Sequence, residues 1–255
     1  MSTATPDPTV PPLDLEHPSA IEPGPVPLAR RAFAEAIGTA LLVAVVIGSG
    51  IMAVRLSPHE VGLQLLENST ATAFGLTVLI LMFGPVSGAH FNPVVSLADW
   101  FLGRSQNTGL KARDLAAYIP AQIGGAIGGA VLANLMFALP AATASHTSRS
   151  SGHLWLGEIV ATAGLVVLIF ALVRTGRTAL APPAVGAYIG AAYWFTSSTS
   201  FANPAVTIGR AFTDTFAGIA PASVPGFIGA QIVGAVIGAA LVTALYPGSS
   251  RTAAQ

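Results

Sequence analysis

Few side chains in this sequence could do chemistry, and those that could come in pairs. Asn92-Pro93-Val94 and Asn203-Pro204-Ala205 stand 111 residues apart, each entering a short apolar run. Glu35 and Glu158 each sit inside a long apolar stretch, where an ionisable group marks a functional position by default. The other role open to them is to accept hydrogen bonds from unwound backbone nearby, and the pairing favours that scaffolding role. Gln122 and Gln231 form a third pair. His90, beside the first Asn-Pro step, could titrate near neutral pH, but its favoured role is to fix the loop by a hydrogen bond. Ser87 and Thr207 read as local backbone caps rather than nucleophiles. No grouping of these residues assembles a nucleophile, base and orienting group, or a metal-ligand cluster, so neither an enzyme nor a metal or other cofactor is expected. The absence of cysteine removes disulfides and thiolate chemistry as well.

The elements that must position these residues are helices in a membrane. Of 255 residues, 53% are hydrophobic and only 9% charged, with a mean hydropathy of +0.69, far more apolar than a soluble domain. Lysine plus arginine equals aspartate plus glutamate at 11 each, so nothing points to nucleic acid, and membrane lipid is the expected surrounding. Asparagine is a good N-cap and proline favours the first helical turn, so each Asn-Pro step is a physically sensible helix start. Many glycines, including Gly124, Gly125, Gly128 and Gly129, fit close helix packing rather than a phosphate loop.

Six stretches are long enough, or nearly so, to cross a hydrocarbon core of about 30 Å. They are residues 33–54, 69–83, 115–139, 155–173, 183–195 and 224–246. After the second and fifth come residues 94–102 and 205–216, apolar but too short to span, which suggests re-entrant half-helices in an inverted repeat. Ala34-Glu35-Ala36-Ile37-Gly38-Thr39 pairs with Gly157-Glu158-Ile159-Val160-Ala161-Thr162, and Ala121-Gln122-Ile123-Gly124-Gly125-Ala126 with Ala230-Gln231-Ile232-Val233-Gly234-Ala235. With the Asn-Pro pair this makes three matches in one order, dividing the chain into a proline-rich disordered tail (1–29), a first repeat (30–140) and a second (153–248). Three spans per repeat invert the second half, so the half-helices enter from opposite faces and meet near the midplane. A cytoplasmic amino terminus places Arg30, Arg31, Arg104, Lys111, Arg113, Arg174, Arg177 and Arg251 inside and leaves Arg55, Arg149 and Arg210 outside, which puts both termini in the cytoplasm.

These residues resemble the aquaporin, or major intrinsic protein, family. The likeness lies in the two Asn-Pro boxes, in Ser87-Gly88-Ala89-His90-Phe91 before the first, in Ala73-Phe74-Gly75-Leu76-Thr77-Val78, in both glutamates and in both glutamines, and it covers roughly residues 30–247. The resemblance implies an all-α membrane fold of six spanning helices and two half-helices, a homotetramer with one pore per subunit in the plasma membrane, and passage of water and small neutral solutes. In such a pore Asn92 and Asn203 present amide donors at the centre, while the positive ends of the half-helices repel cations and interrupt proton transfer.

Two departures from the family pattern bear on what passes. The first box ends in Val94 instead of alanine, a small change. The second box is followed by Val206 where most of the family has the arginine of the selectivity filter, so the filter is expected to be wider and more apolar. Arg210, four helical residues on, stands about 6 Å further along and is not expected to fill that space. Ser200 gives the loop contribution. The two helix contributions depend on alignment: Phe74 and Tyr193 with a gap, for a narrower aromatic lining, or Thr72 and Ala191 without one, for a wide pore. An apolar residue in place of the arginine resembles the bacterial branch associated with arsenic resistance, which implies glycerol and arsenous acid among the solutes. The competing readings are a secondary transporter, although neither box has an adjacent acid for ion coupling, and a strict water channel.

Overall fold

A computed structural model describes residues 26–104 and 108–246. The proline-rich tail is outside the described residues apart from its last four positions, as is Arg251. The described chain is helical: α1 Leu28–Leu56, α2 Val61–Ser87, α3 Pro93–Gly103, α4 Ala112–Met136, α5 Gly152–Arg174, α6 Ala181–Phe195, α7 Pro204–Arg210 and α8 Val224–Leu245. Among the described residues, α1, α2, α4, α5 and α8 are long and apolar enough to cross a membrane. The fifth span, α6, has 15 residues, extended at its start by the 3-10 turn Thr178–Leu180.

Within each half the first helix packs on the last, α1 on α4 and α5 on α8. The small residues explain how closely they approach. A Cβ at Gly125 or Gly129 would collide with the carbonyl oxygens of Ala36 and Ala40, and one at Gly234 or Gly238 with those of Ile159 and Ala163. In lipid there is little hydrophobic drive between helices, so this backbone contact supplies the packing energy. Gly124 and Gly128, read with their neighbours as packing residues, meet nothing. Large apolar side chains such as Phe33, Val78, Trp194 and Leu245 are turned outward instead, as lipid allows.

Two boundaries differ most from the sequence reading. The second span starts at Val61, not residue 69, because the polar residues that lower its hydropathy are buried and paired. Asn68 Nδ2 donates to the Val46 carbonyl at 2.9 Å and to Ser49 Oγ at 2.8 Å, and Gln64 Nε2 donates to the Ser57 carbonyl at 2.7 Å. The second half-helix ends at Arg210, not residue 216. Its terminal turn tightens, with the Phe212 amide donating to the Gly209 carbonyl at 3.1 Å, and the Phe212 carbonyl then accepts Asn134 Nδ2 at 3.1 Å and the Thr143 amide at 3.1 Å. Partners outside the helix capture the backbone that would have continued it.

Candidate functional site

Each half-helix opens on its asparagine. Asn92 is extended at φ −152° and its Oδ1 accepts the Val94 amide at 3.1 Å. Asn203, at φ −160°, accepts the Ala205 amide at 3.0 Å and the Val206 amide at 3.2 Å. With Pro93 and Pro204 next in each helix, the local sequence satisfies the amides that a helix start leaves free.

The chain before each asparagine is held by a buried carboxylate. Glu35 on α1 accepts Ser87 Oγ at 2.6 Å, the His90 amide at 3.0 Å, the Phe91 amide at 2.6 Å and Gln122 Nε2 at 2.8 Å. Glu158 on α5 accepts the Phe201 and Ala202 amides, both at 2.8 Å, and Gln231 Nε2 at 2.7 Å. Each glutamine nitrogen also donates to a half-helix hydroxyl, Ser96 Oγ at 3.0 Å and Thr207 Oγ1 at 2.9 Å. The carboxylates compensate real strain. Ala89 and Phe91 in one loop, and Ser200 and Ala202 in the other, have positive φ between 47° and 51°. Each such non-glycine residue costs about 1–3 kcal/mol unless its surroundings hold it. His90 Nδ1 lies 3.0 Å from Ser96 Oγ, tying the first loop to its own half-helix.

The two asparagines then bind each other's loop. Asn92 Nδ2 donates to the Ala202 carbonyl and Asn203 Nδ2 to the Phe91 carbonyl, both at 2.8 Å. An amide NH₂ has two protons. One is used in the exchange, which leaves the other to donate elsewhere.

A cavity of about 670 Å³ runs past this junction. Asn92, Thr72, Tyr193, Ser200 and Val206 line it, together with Gly88, Ala89 and His90 from the first loop and Phe201 and Ala202 from the second. Much of the remaining wall is aliphatic, including Leu42, Val46, Leu76, Val185 and Ile189. Ser200 Oγ is buried with no hydrogen-bond partner among the described residues. Thr72 Oγ1 and Tyr193 Oη are 3.2 Å apart, joining α2 to α6 across the wall.

The sequence residues therefore divide. Thr72, Tyr193, Ser200, Val206, Asn92 and His90 meet at the cavity. Asn203 is buried and joined to it through the exchange bond but is not part of its lining, and Pro93, Val94, Pro204 and Ala205 pack behind it. Glu35 and Glu158 sit behind the loops. Two positions need correcting. Phe74 is 70% exposed, and Ala191 is exposed too, so neither lines the cavity. Two positions along a helix turn a side chain by about 200°, so when Thr72 and Tyr193 face inward Phe74 and Ala191 must face out. The wall thus takes one residue from each of the two alignments.

Among the lining residues not singled out as site positions from the sequence are Phe201, Asp99 and Arg210, the last named only to be set aside. The 111-residue offset was the available signal, because it pairs Asp99 with Arg210 and His90 with Phe201.

The family model of the major intrinsic protein matches residues 24–202. The aquaglyceroporin AqpS of Rhizobium meliloti is 53% identical over 215 residues, which is 84% of this chain and 89% of that protein. The glycerol uptake facilitator protein of Pseudomonas aeruginosa is 33% identical, over 82% of this chain and 86% of that one. Among solved structures, the aquaglyceroporin from Plasmodium falciparum matches with a TM-score of 0.61 at 21% identity, covering 85% of this chain and 96% of that one, a likeness of fold.

Proposed function

The chain belongs to the major intrinsic protein (aquaporin) family, and we propose that it is a passive channel for water and small uncharged solutes whose filter is widened by Val206. It is a multi-pass membrane protein of a family of channels, not enzymes. The single observation that carries the solute range is that Val206 lines the cavity beside Thr72, Tyr193 and Ser200, with no guanidinium at that position.

The geometry supports the following residue roles. Thr72, Tyr193, Ser200 and Val206 form the selectivity filter, offering three hydroxyls to a polyol and an aliphatic wall to its carbon side. Asn92 and Asn203 hold the half-helices together at the centre. Asn92 turns its remaining proton to a passing oxygen, as Asn203 would if the pore opens onto it in passage. Glu35, Glu158 and His90 support the loops. Glycerol is the first proposed solute, and relatives named aquaglyceroporin and glycerol uptake facilitator support it. Arsenous acid, a neutral trihydroxide of similar size and hydrogen-bonding pattern, is the second proposed solute. A homotetramer in the plasma membrane with both termini cytoplasmic completes the proposal, in line with the arginine and lysine distribution.

Stopped-flow light scattering on proteoliposomes tests it. Glycerol and arsenous acid are expected to enter faster than into protein-free liposomes, without saturation. Fluxes equal to those of the bare liposomes exclude the channel; saturable, gradient-coupled uptake points to a transporter. Fast water flux with no glycerol flux leaves a strict water channel.

A further inference from the structure

Val206 leaves the usual filter position without a charge, yet the cavity wall is not uncharged. Arg210 ends the second half-helix, is 3% exposed and lines the cavity. Its guanidinium carbon lies 3.4 Å from the centroid of the Phe201 ring, and its Nε donates to the Ala217 carbonyl. No carboxylate forms an ion pair with it among the described residues. A buried cation without an acidic partner is expensive in a membrane and stays only where it serves the site. Phe201 has a second guanidinium near it, Arg149 at 5.1 Å, and is itself packed edge-on against Phe227 with centroids 5.0 Å apart. The ring is thus a fixed platform. The Phe201 ring and the Ala217 carbonyl hold the Arg210 guanidinium against the wall, and its terminal nitrogens make no hydrogen bond to any described residue.

We propose that Arg210 is the charge-selecting residue of this pore, a filter cation moved one helical turn from the second box and laid on Phe201. This rests on the channel reading. Moving the charge separates two properties that one arginine otherwise combines: Val206 leaves the bore wide for a polyol, while Arg210 still raises the energy of any cation that enters. The need for such a charge is local. Asp99, the residue at the equivalent register of the first half-helix, lines the same cavity and would attract cations. In addition α7 has only seven residues, so its backbone supplies a weaker dipole than the eleven of α3.

Two variants and a size-matched control in proteoliposomes test the proposal, reading the proton leak from an internal pH dye, the potassium leak from a potassium-sensitive dye and glycerol flux from light scattering. Arg210→Gln removes the charge, and the leak-to-glycerol ratio is expected to rise about tenfold or more. Val206→Glu keeps the arginine and sets a carboxylate one turn before it, neutralising it in place; both it and the equally large Val206→Gln narrow the bore, so the ion leak itself is compared, and it is expected to be higher in Val206→Glu than in Val206→Gln. If Arg210 is only a clamp for the following loop, Arg210→Gln lowers both fluxes together and Val206→Glu stays ion-tight, which overturns the proposal. A native protein that passes no glycerol overturns the channel reading instead, so the two failures are distinct. Should Arg210→Gln fail to assemble, the difference in leak between Val206→Glu and Val206→Gln decides.

Discussion

The two halves are most alike where nothing passes and least alike where something would. Behind the loops the correspondence is close: glutamate against glutamate, glutamine against glutamine, Ser96 against Thr207, and strained residues at Ala89 and Phe91 against Ser200 and Ala202. On the cavity wall Val95 and Val206 agree, but Ala89 differs from Ser200, His90 from Phe201 and Asp99 from Arg210. Their uses diverge with them. His90 bonds to Ser96 at 3.0 Å, whereas Phe201 carries a guanidinium on its face. A duplicated scaffold keeps its acceptors because every buried donor needs one. Residues facing the cavity carry no such obligation and are free to set what the pore admits.

The largest expected effect breaks the symmetric part. Glu158→Ala leaves three buried donors unpaired, and Glu35→Ala four, each donor worth about 1–3 kcal/mol. Both variants are expected to lose most folded protein in detergent, judged by size-exclusion profile and melting temperature, with Glu35→Ala the worse. A well-folded Glu158→Ala protein would show that the second loop does not depend on its carboxylate.

The next effect addresses the asymmetric part. Val206→Arg restores the usual filter arginine and is expected to lower glycerol flux by about tenfold or more, while water flux falls less. The equivalent change in the first half, Val95→Arg, is expected to act differently, since it sets a second cation on the wall that already carries Asp99.

Smaller effects sharpen the comparison at the junction. Asn92→Ala and Asn203→Ala each delete one exchange bond and one helix cap, and each is expected to cost roughly 1–3 kcal/mol of stability. Asn92→Ala is expected to reduce solute flux more, because Asn92 lines the cavity and Asn203 does not. Tyr193→Phe removes only the 3.2 Å bond to Thr72 and is expected to lower the melting temperature slightly, by the equivalent of about 0.5–1.5 kcal/mol.

The smallest effect concerns the loops over the second half. The His146 backbone amide, at 3.0 Å, and then its ring, at 2.9 Å, hold the exposed Asp214 carboxyl below its ordinary value of 3.8. A depressed carboxyl contributes stability above its ordinary value and loses it as pH falls through the depressed one. The protection factors of amides around His146, with the intrinsic pH dependence of exchange divided out, are therefore expected to fall once pH drops below the ordinary carboxyl value of about 4.

Much of this was legible in the sequence because the repeat doubles each signal. Asn-Pro, glutamate and glutamine recur in order, and chemistry alone assigns a buried carboxylate to unwound backbone. The helix-borne cavity positions were not legible. Thr72 and Phe74 differ by two residues, which hydropathy does not separate in a helix apolar all round, and the structure mixed the alignments as Thr72 with Tyr193. The start of α2 was hidden by Gln64, Glu67 and Asn68, whose partners are Val46 in α1 and Ser57 just after it. Arg210 was set aside on its distance along the helix. What brings it to the wall is the Phe201 ring and the Ala217 carbonyl, contacts that depend on tertiary structure.

The most direct measurement is the ratio of glycerol to water permeability in proteoliposomes of the native protein and of Val206→Arg, at equal channel density. A high ratio in the native protein that falls about tenfold or more in the variant is the expected result. An equal ratio in both would contradict the claim that Val206 sets the solute range.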